Sequence, residues 1–286
     1  MPLQARRFLR RMRGGAQAHL LEADDGRWYV VKFLENPQHR RILVNEWIAG
    51  GILPYLRIAA PETRLIELSP AFLRDNPEVA IQLGSTRREI LPGWHFASLF
   101  PGNPITQAIY DFIPDSLLPK VANRPDFLGA LVFDKWCANA DSRQAIFFRA
   151  RLGDWLANPE TPLKVGFVAQ MIDHGYIFNG PHWEFNDSPL QGLYLRHDVY
   201  RPVQSLASFE PWLELVRHFP DEILDQTARQ IPPSWLPGDE RDRLEDLLSA
   251  LQRRRHRVAD LISACVDARV NPFPHWGESR HTTAGR

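Results

Sequence analysis

The chain has 286 residues, 44% of them hydrophobic, enough to bury one large core or two modest lobes. Its 34 basic and 34 acidic side chains cancel, so no global field favours nucleic acid or an anionic membrane surface. Two cysteines, Cys137 and Cys265, cannot make a disulfide framework, no apolar run approaches bilayer-spanning length, and the basic start from Met1 to Arg13 has no apolar segment behind it. The expectation is a soluble cytoplasmic protein without membrane insertion.

Residues 1–92 read as a small β-rich lobe. Strands are expected at Ala18–Ala23, Arg27–Phe33, Thr63–Leu68 and Val79–Leu83, with Asp24-Asp25-Gly26 as a hairpin turn between the first two. One helix interrupts them: Arg40–Leu53 carries Ile42, Leu43, Trp47 and Ile48 at helical spacing, and Pro54 closes it.

Residues 93–286 read as mainly helical. Pro125–Cys137 places Phe127, Leu128, Leu131 and Val132 on one stripe, with Pro125 suited to a first turn. Ser208–Phe219 and Pro220–Gln230 are shorter helices. Asp239–Asp267 reads as one long helix whose apolar face runs from Leu244 to Cys265. The 24 prolines concentrate between Pro92 and Pro125 and between Pro181 and Pro237, where interleaved aromatics predict ordered loops. The fold class is α+β, with a ligand cleft expected between the lobes.

Several polar residues stand in apolar surroundings. Lys32 ends the strand run Trp28-Tyr29-Val30-Val31, and its charge needs a partner if covered. Glu46 lies on the only helix of the small lobe. Upstream, Gly14-Gly15 with Gln17 precedes the hairpin, where glycines let backbone N–H groups approach phosphate oxygens; a bare Gly-Gly is equally a simple turn. Asp134, Asn139 and Asp141 flank Trp136 where a helix should end. A loop Asp can accept the proton of an attacking hydroxyl, while capping and Asx turns account for one of the three but not all. Asp173 follows Val168, Met171 and Ile172, so it should emerge from a buried strand, either as a turn residue before Gly175 or as a metal ligand. A strand Lys, a helix Glu, a loop Asp and a late metal-type Asp follow the order of parts in kinase-like phosphotransferases. His95, between aromatics, reads as a core or hinge residue, and Arg253 to Arg257 as a solvated helix face. The scattered histidines lack zinc-ligand spacing.

On these residues the chain resembles the HipA-like kinases, in an uncharacterised bacterial branch. The resemblance runs from about Arg11 to Phe219. It is carried by Tyr29-Val30-Val31-Lys32-Phe33, Asn45-Glu46, Ile109-Tyr110-Asp111-Phe112, Phe127-Leu128-Gly129, Phe133-Asp134-Lys135-Trp136, Asn139-Ala140-Asp141 and Met171-Ile172-Asp173. The Asn-x-Asp loop followed by the Ile-Asp-x-Gly element also looks like type II phosphatidylinositol 4-kinases. The resemblance implies a two-lobed protein-kinase-like fold using ATP and magnesium. Lys32, with Glu46, Gly14, Gly15 and Gln17, would bind the nucleotide; Asp141 would be the catalytic Asp, aided by Asn139; and Asp173 would ligate the metal. One position departs: the Asn expected five residues after the catalytic Asp is Ile146, so the second metal position is either rebuilt around Gln144 or lost.

The reading is an ATP- and magnesium-dependent phosphotransferase, with a protein Ser or Thr hydroxyl the first acceptor by family analogy. Its rivals are a pseudokinase that binds a nucleotide or partner without turnover, and a small-molecule or lipid kinase.

Overall fold

The computed structural model describes residues 2–156 and 160–278. The chain opens with a strand that had no sequence signal, β1 (Leu3–Arg11), followed by β2 (His19–Ala23) and β3 (Trp28–Lys32). Helix α1 (Arg41–Ile52) leads to β4 (Thr63–Leu68), a short α2 (Pro70–Asp75), the hairpin β5 (Ala80–Leu83) and β6 (Thr86–Glu89), and β7 (Gly93–Leu99). Strands β1-β2-β3-β7-β4 form a closed barrel, with β4 running parallel to β1. The expected boundary at residue 92 therefore cuts too early. β7 pairs Lys32 with Phe96 on one side and Leu65 with Phe96 on the other, which keeps 93–99 in the small lobe.

The second lobe starts from β8 (Ile109–Tyr110) and α3 (Asp126–Trp136), then β9 (Gln144–Arg151) and β10 (Val165–Ile172). These strands form one antiparallel sheet in the order β10-β9-β8. Four helices follow: α4 (Trp212–Arg217), α5 (Asp221–Arg229), α6 (Glu240–Arg254) and α7 (Val258–Ser263). The expected single helix over 239–267 is thus two, separated by a 3₁₀ turn at Arg255–Arg257. The break falls at the basic run, where Arg254 is not solvated but buried. Its Nε donates to the Trp136 carbonyl at 2.9 Å, and its guanidinium pairs with Asp187. Likewise 208–219 holds only α4, preceded by a 3₁₀ turn at Leu206–Phe209.

The main core joins α1 to the helical lobe. Leu43, Ile48 and Ile52 of α1 pack in one buried cluster with Phe133 and Trp136 of α3 and Leu244 and Leu251 of α6. A second cluster, with Leu21, Tyr29, Val31, Phe33 and Ile66, fills the barrel. Placing α1 in the larger cluster matters for function, because Glu46 rides on that helix. No helix among the described residues is long and apolar enough to cross a membrane.

Candidate active site

A cavity of about 520 Å³ lies between the lobes. Its roof is the β1–β2 loop from Met12 to Gly15 together with Ala18, Val30 and Lys32; its floor is Gln144, Ile146, Ile172 and Asp173. Strand pairing explains the floor. Gln144 opposes Ile172 across β9 and β10, so Asp173, one residue on, emerges beside Gln144.

Lys32 is 8% exposed and contacts two carboxylates. Its Nζ donates to Glu46 Oε1 at 2.5 Å and to Asp173 Oδ1 at 2.9 Å. Burial alone would lower the Lys32 pKa, but the two carboxylates outweigh it and hold the ammonium above its ordinary value. Asp173 moves the other way: burial would raise it, and Lys32 holds it below the usual carboxylate range. Asp173 also sits at φ +57°, a left-handed conformation uncommon for a non-glycine residue.

In the roof, Gly14 has φ +116°, a value that L side chains rarely adopt. A Cβ on Gly15 would lie 3.0 Å from the Gln38 Nε2, so the Gln38 amide rests directly beneath the loop. Gln17 does not face the cavity. Its Nε2 donates to the Gln82 carbonyl at 2.6 Å and its Oε1 accepts from the Gln82 N–H at 2.7 Å. It clasps the loop to β5, which corrects the expectation that Gln17 binds the nucleotide.

Asp141 is exposed at the rim, outside the cavity lining, with Gln144 Nε2 3.4 Å from its Oδ2. Asn139 is 1% exposed and therefore cannot reach a substrate. Its Oδ1 accepts from the Asp141 N–H at 3.2 Å and its Nδ2 donates to Asp134 Oδ1 at 2.9 Å, so it shapes the loop. Asp134 is not a second catalytic carboxylate either. It forms a fully buried ion pair with Arg143, whose Nε donates to Asp134 Oδ2 at 2.8 Å. Against burial, Asp134 holds the Arg143 pKa above its ordinary value. Arg143 Nη1 also donates to the Ile172 carbonyl at 2.9 Å and to His174 Nδ1 at 3.0 Å. This guanidinium ties the loop that carries Asp141 to the strand end that carries Asp173.

A second connector is Asn45. Its Nδ2 donates to the carbonyls of Gly175 (2.7 Å), Ile177 (3.0 Å) and Gly180 (2.9 Å), and its Oδ1 accepts from Trp183 Nε1 at 2.8 Å. Arg41 adds a bidentate pair with Glu240, both contacts at 2.7 Å. His95 is a core residue: Nδ1 accepts from the Leu34 N–H and Nε2 donates to the Leu91 carbonyl, both at 3.1 Å.

Among the described residues no group of three His, Cys, Asp or Glu side chains forms a metal cage. A magnesium ion that arrives with a nucleotide needs only one or two carboxylates plus phosphate oxygens, and Asp173 on the cavity floor, with the Gln144 amide beside it, fits that demand.

A barrel lobe and a helical lobe around such a cleft define a two-lobed α+β kinase-like fold. The structure titled "crystal structure of the Golgi casein kinase with Mn/ADP bound" is similar at a TM-score of 0.51 and 12% identity, over 94% of this chain and 73% of that one. The Helicobacter pylori proinflammatory kinase CtkA has a TM-score of 0.48 and 13% identity, over 92% of this chain and 97% of that one. No curated protein matches the chain by sequence. Residues 6–146 match the family model of the HipA-like kinases.

Proposed function

We propose that the chain is an ATP- and magnesium-dependent phosphotransferase acting on a hydroxyl acceptor, with a protein Ser or Thr the first candidate. The observation that carries this reading is Lys32, held between Glu46 and Asp173 in the wall of a cavity roofed by a Gly-Gly loop. In such a site Lys32 and the Gly14-Gly15 backbone bind phosphates, and Glu46 fixes the ammonium so that its position costs no reorganisation during reaction. Asp173 and Gln144 are the residues that would hold magnesium, which when bound neutralises phosphate charge. Asp141, exposed at the rim, orients the acceptor hydroxyl and takes its proton. Asn139 and Arg143 act through Asp141 by fixing its loop.

The test is ATP turnover by purified protein, wild type beside Asp141→Ala. A positioned carboxylate of this kind contributes about 10²–10⁴-fold to the rate. Loss of that order, with ATP binding retained, supports the enzyme. Equal background turnover by both proteins refutes it. One observation favours the pseudokinase reading: Ile146 places an apolar side chain in the cavity wall where a metal-binding amide is expected. That reading is preferred if the wild type binds ATP without turning it over.

A further inference from the structure

The roof of the cleft carries cations that the mechanism above does not use. Arg10 pairs with Leu20 across β1 and β2, and Leu20 pairs with Val30 across β2 and β3. Residues opposite one another in a sheet share a face, so Arg10 lies on the face of Val30 and of Lys32, two residues further on. Both Val30 and Lys32 line the cavity. Arg11 also lines the cavity, but its guanidinium is engaged, its Nη2 donating to the Glu78 carbonyl at 2.9 Å. Arg13 precedes Gly14 at the tip of the loop and lines the same cavity. Arg10 and Arg13 are exposed, and neither pairs with a carboxylate among the described residues.

The floor is correspondingly poor in metal ligands. Ile146 is apolar and 9% exposed, Glu46 is buried against Lys32, and the Gln144 amide is 3.4 Å from Asp141 Oδ2. With Glu46 engaged by Lys32, Asp173 and the exposed Asp111 are the two carboxylates that face the nucleotide space, and Asp173 is the one beside Lys32. Charge on a transferring phosphoryl group must be met by fixed cations, whether metal ions or side chains. A guanidinium suits the task because its planar fork binds phosphate oxygens in pairs.

We propose that Arg10 and Arg13 meet the charge of the transferring phosphoryl group, in a site that takes one metal ion rather than two. This rests on the phosphotransferase reading. In the step concerned, the acceptor oxygen bonds to the γ-phosphorus as the bond from that phosphorus to the β–γ bridging oxygen breaks. The electron pair leaves with ADP, the acceptor proton passes to Asp141, and the two guanidiniums stay bound to the non-bridging oxygens.

Two measurements test this. Manganese titrated into the protein with a non-hydrolysable ATP analogue, followed by electron paramagnetic resonance, should show one bound ion per chain. Arg10→Ala and Arg13→Ala should each lower kcat about 10²-fold, with KM for ATP less affected and melting temperature unchanged, and the Lys variants should recover part of the loss. Two bound ions, or wild-type kcat in both Ala variants, overturns the inference while leaving the phosphotransferase intact. A wild type that binds the analogue without turnover overturns it as well. A wild type that binds no nucleotide removes the phosphotransferase reading and this inference together.

Discussion

Asn45 reaches Gly175 across the lobe boundary, its Nδ2 2.7 Å from the Gly175 carbonyl. That contact joins the helix carrying Glu46 to the segment that begins at Asp173, so both partners of Lys32 are set by one side chain. Asn45→Asp replaces the donor with a carboxylate facing three buried carbonyls. It should destabilise the protein by about 1–3 kcal/mol or more, and reduce the thermal shift given by ATP with magnesium. Urea unfolding and thermal-shift titration check this; an unchanged nucleotide shift would show that Asn45 does not position the site.

Gly175 itself tolerates no side chain. A Cβ there would lie 2.5 Å from Ile42 Cγ2, and the helix bearing Ile42 is buried on both sides of that contact. Gly175→Ala should cost about 1–3 kcal/mol through overpacking. Pairing it with Ile42→Ala tests the cause, because the double variant should be more stable than the sum of the single changes predicts.

The two aspartates of the loop should respond oppositely to substitution. Asp134→Asn leaves Arg143 charged and buried without its counter-ion, a loss expected to cost about 3–5 kcal/mol. Asp141→Asn alters an exposed rim residue and should change stability by no more than about 0.5 kcal/mol while removing activity. Denaturation midpoints of the two variants side by side decide the matter. Equal destabilisation would contradict the division into brace and catalyst.

Lys32→Met should abolish the shift given by ATP with magnesium. The same change leaves Glu46 buried without its cation, so some loss of stability is expected as well. Glu46→Gln separates the effects, since it keeps the shape and leaves Lys32 paired with Asp173 alone. Nucleotide binding should weaken in Glu46→Gln but persist. Complete loss in both would mean that Glu46 contacts the ligand directly.

Stability should fall as pH drops below neutrality. Burial lowers the His95 pKa to about 4, and burial lowers His19 and His174 as well. An unfolded histidine titrates near 6.5, so between these values the unfolded chain binds a proton that the folded chain refuses. His95 alone then removes up to about 1.4 kcal/mol per pH unit below 6.5, until folded His95 protonates near pH 4. Glu35 and Asp126, raised by burial, act in the opposite sense. Urea midpoints at pH 7 and 5.5 check this, and equal midpoints would contradict it.

Much of the site was legible in the sequence because its residues differ in chemical type from their neighbours. Lys32 ends an apolar strand, Glu46 interrupts an apolar helix, and Asp173 follows a buried strand. Gln17 was misread because an amide beside glycines suits a phosphate and a neighbouring strand equally, and only the position of Gln82 decides between them. The brace between Arg143 and Asp134 was hidden because a buried ion pair nine residues apart depends on the path of the loop. β1 escaped notice since Ala5 is its only buried residue, and four arginines mask any alternation. Asn45 signals nothing by itself; three carbonyls more than a hundred positions away give it meaning.

The parallel pairing of β1 with β4, Leu3 opposite Ile66 and Gln4 opposite Glu67, has a consequence for recruitment. A closed barrel leaves no open strand edge, so the barrel itself offers no backbone ladder on which another chain could add a strand. A partner that docks by β-augmentation must instead use the hairpin β5–β6 or the outer strands of the sheet beneath the cleft. One that engages the barrel has to recognise its side chains, and the arginines of β1 are prominent among those on offer.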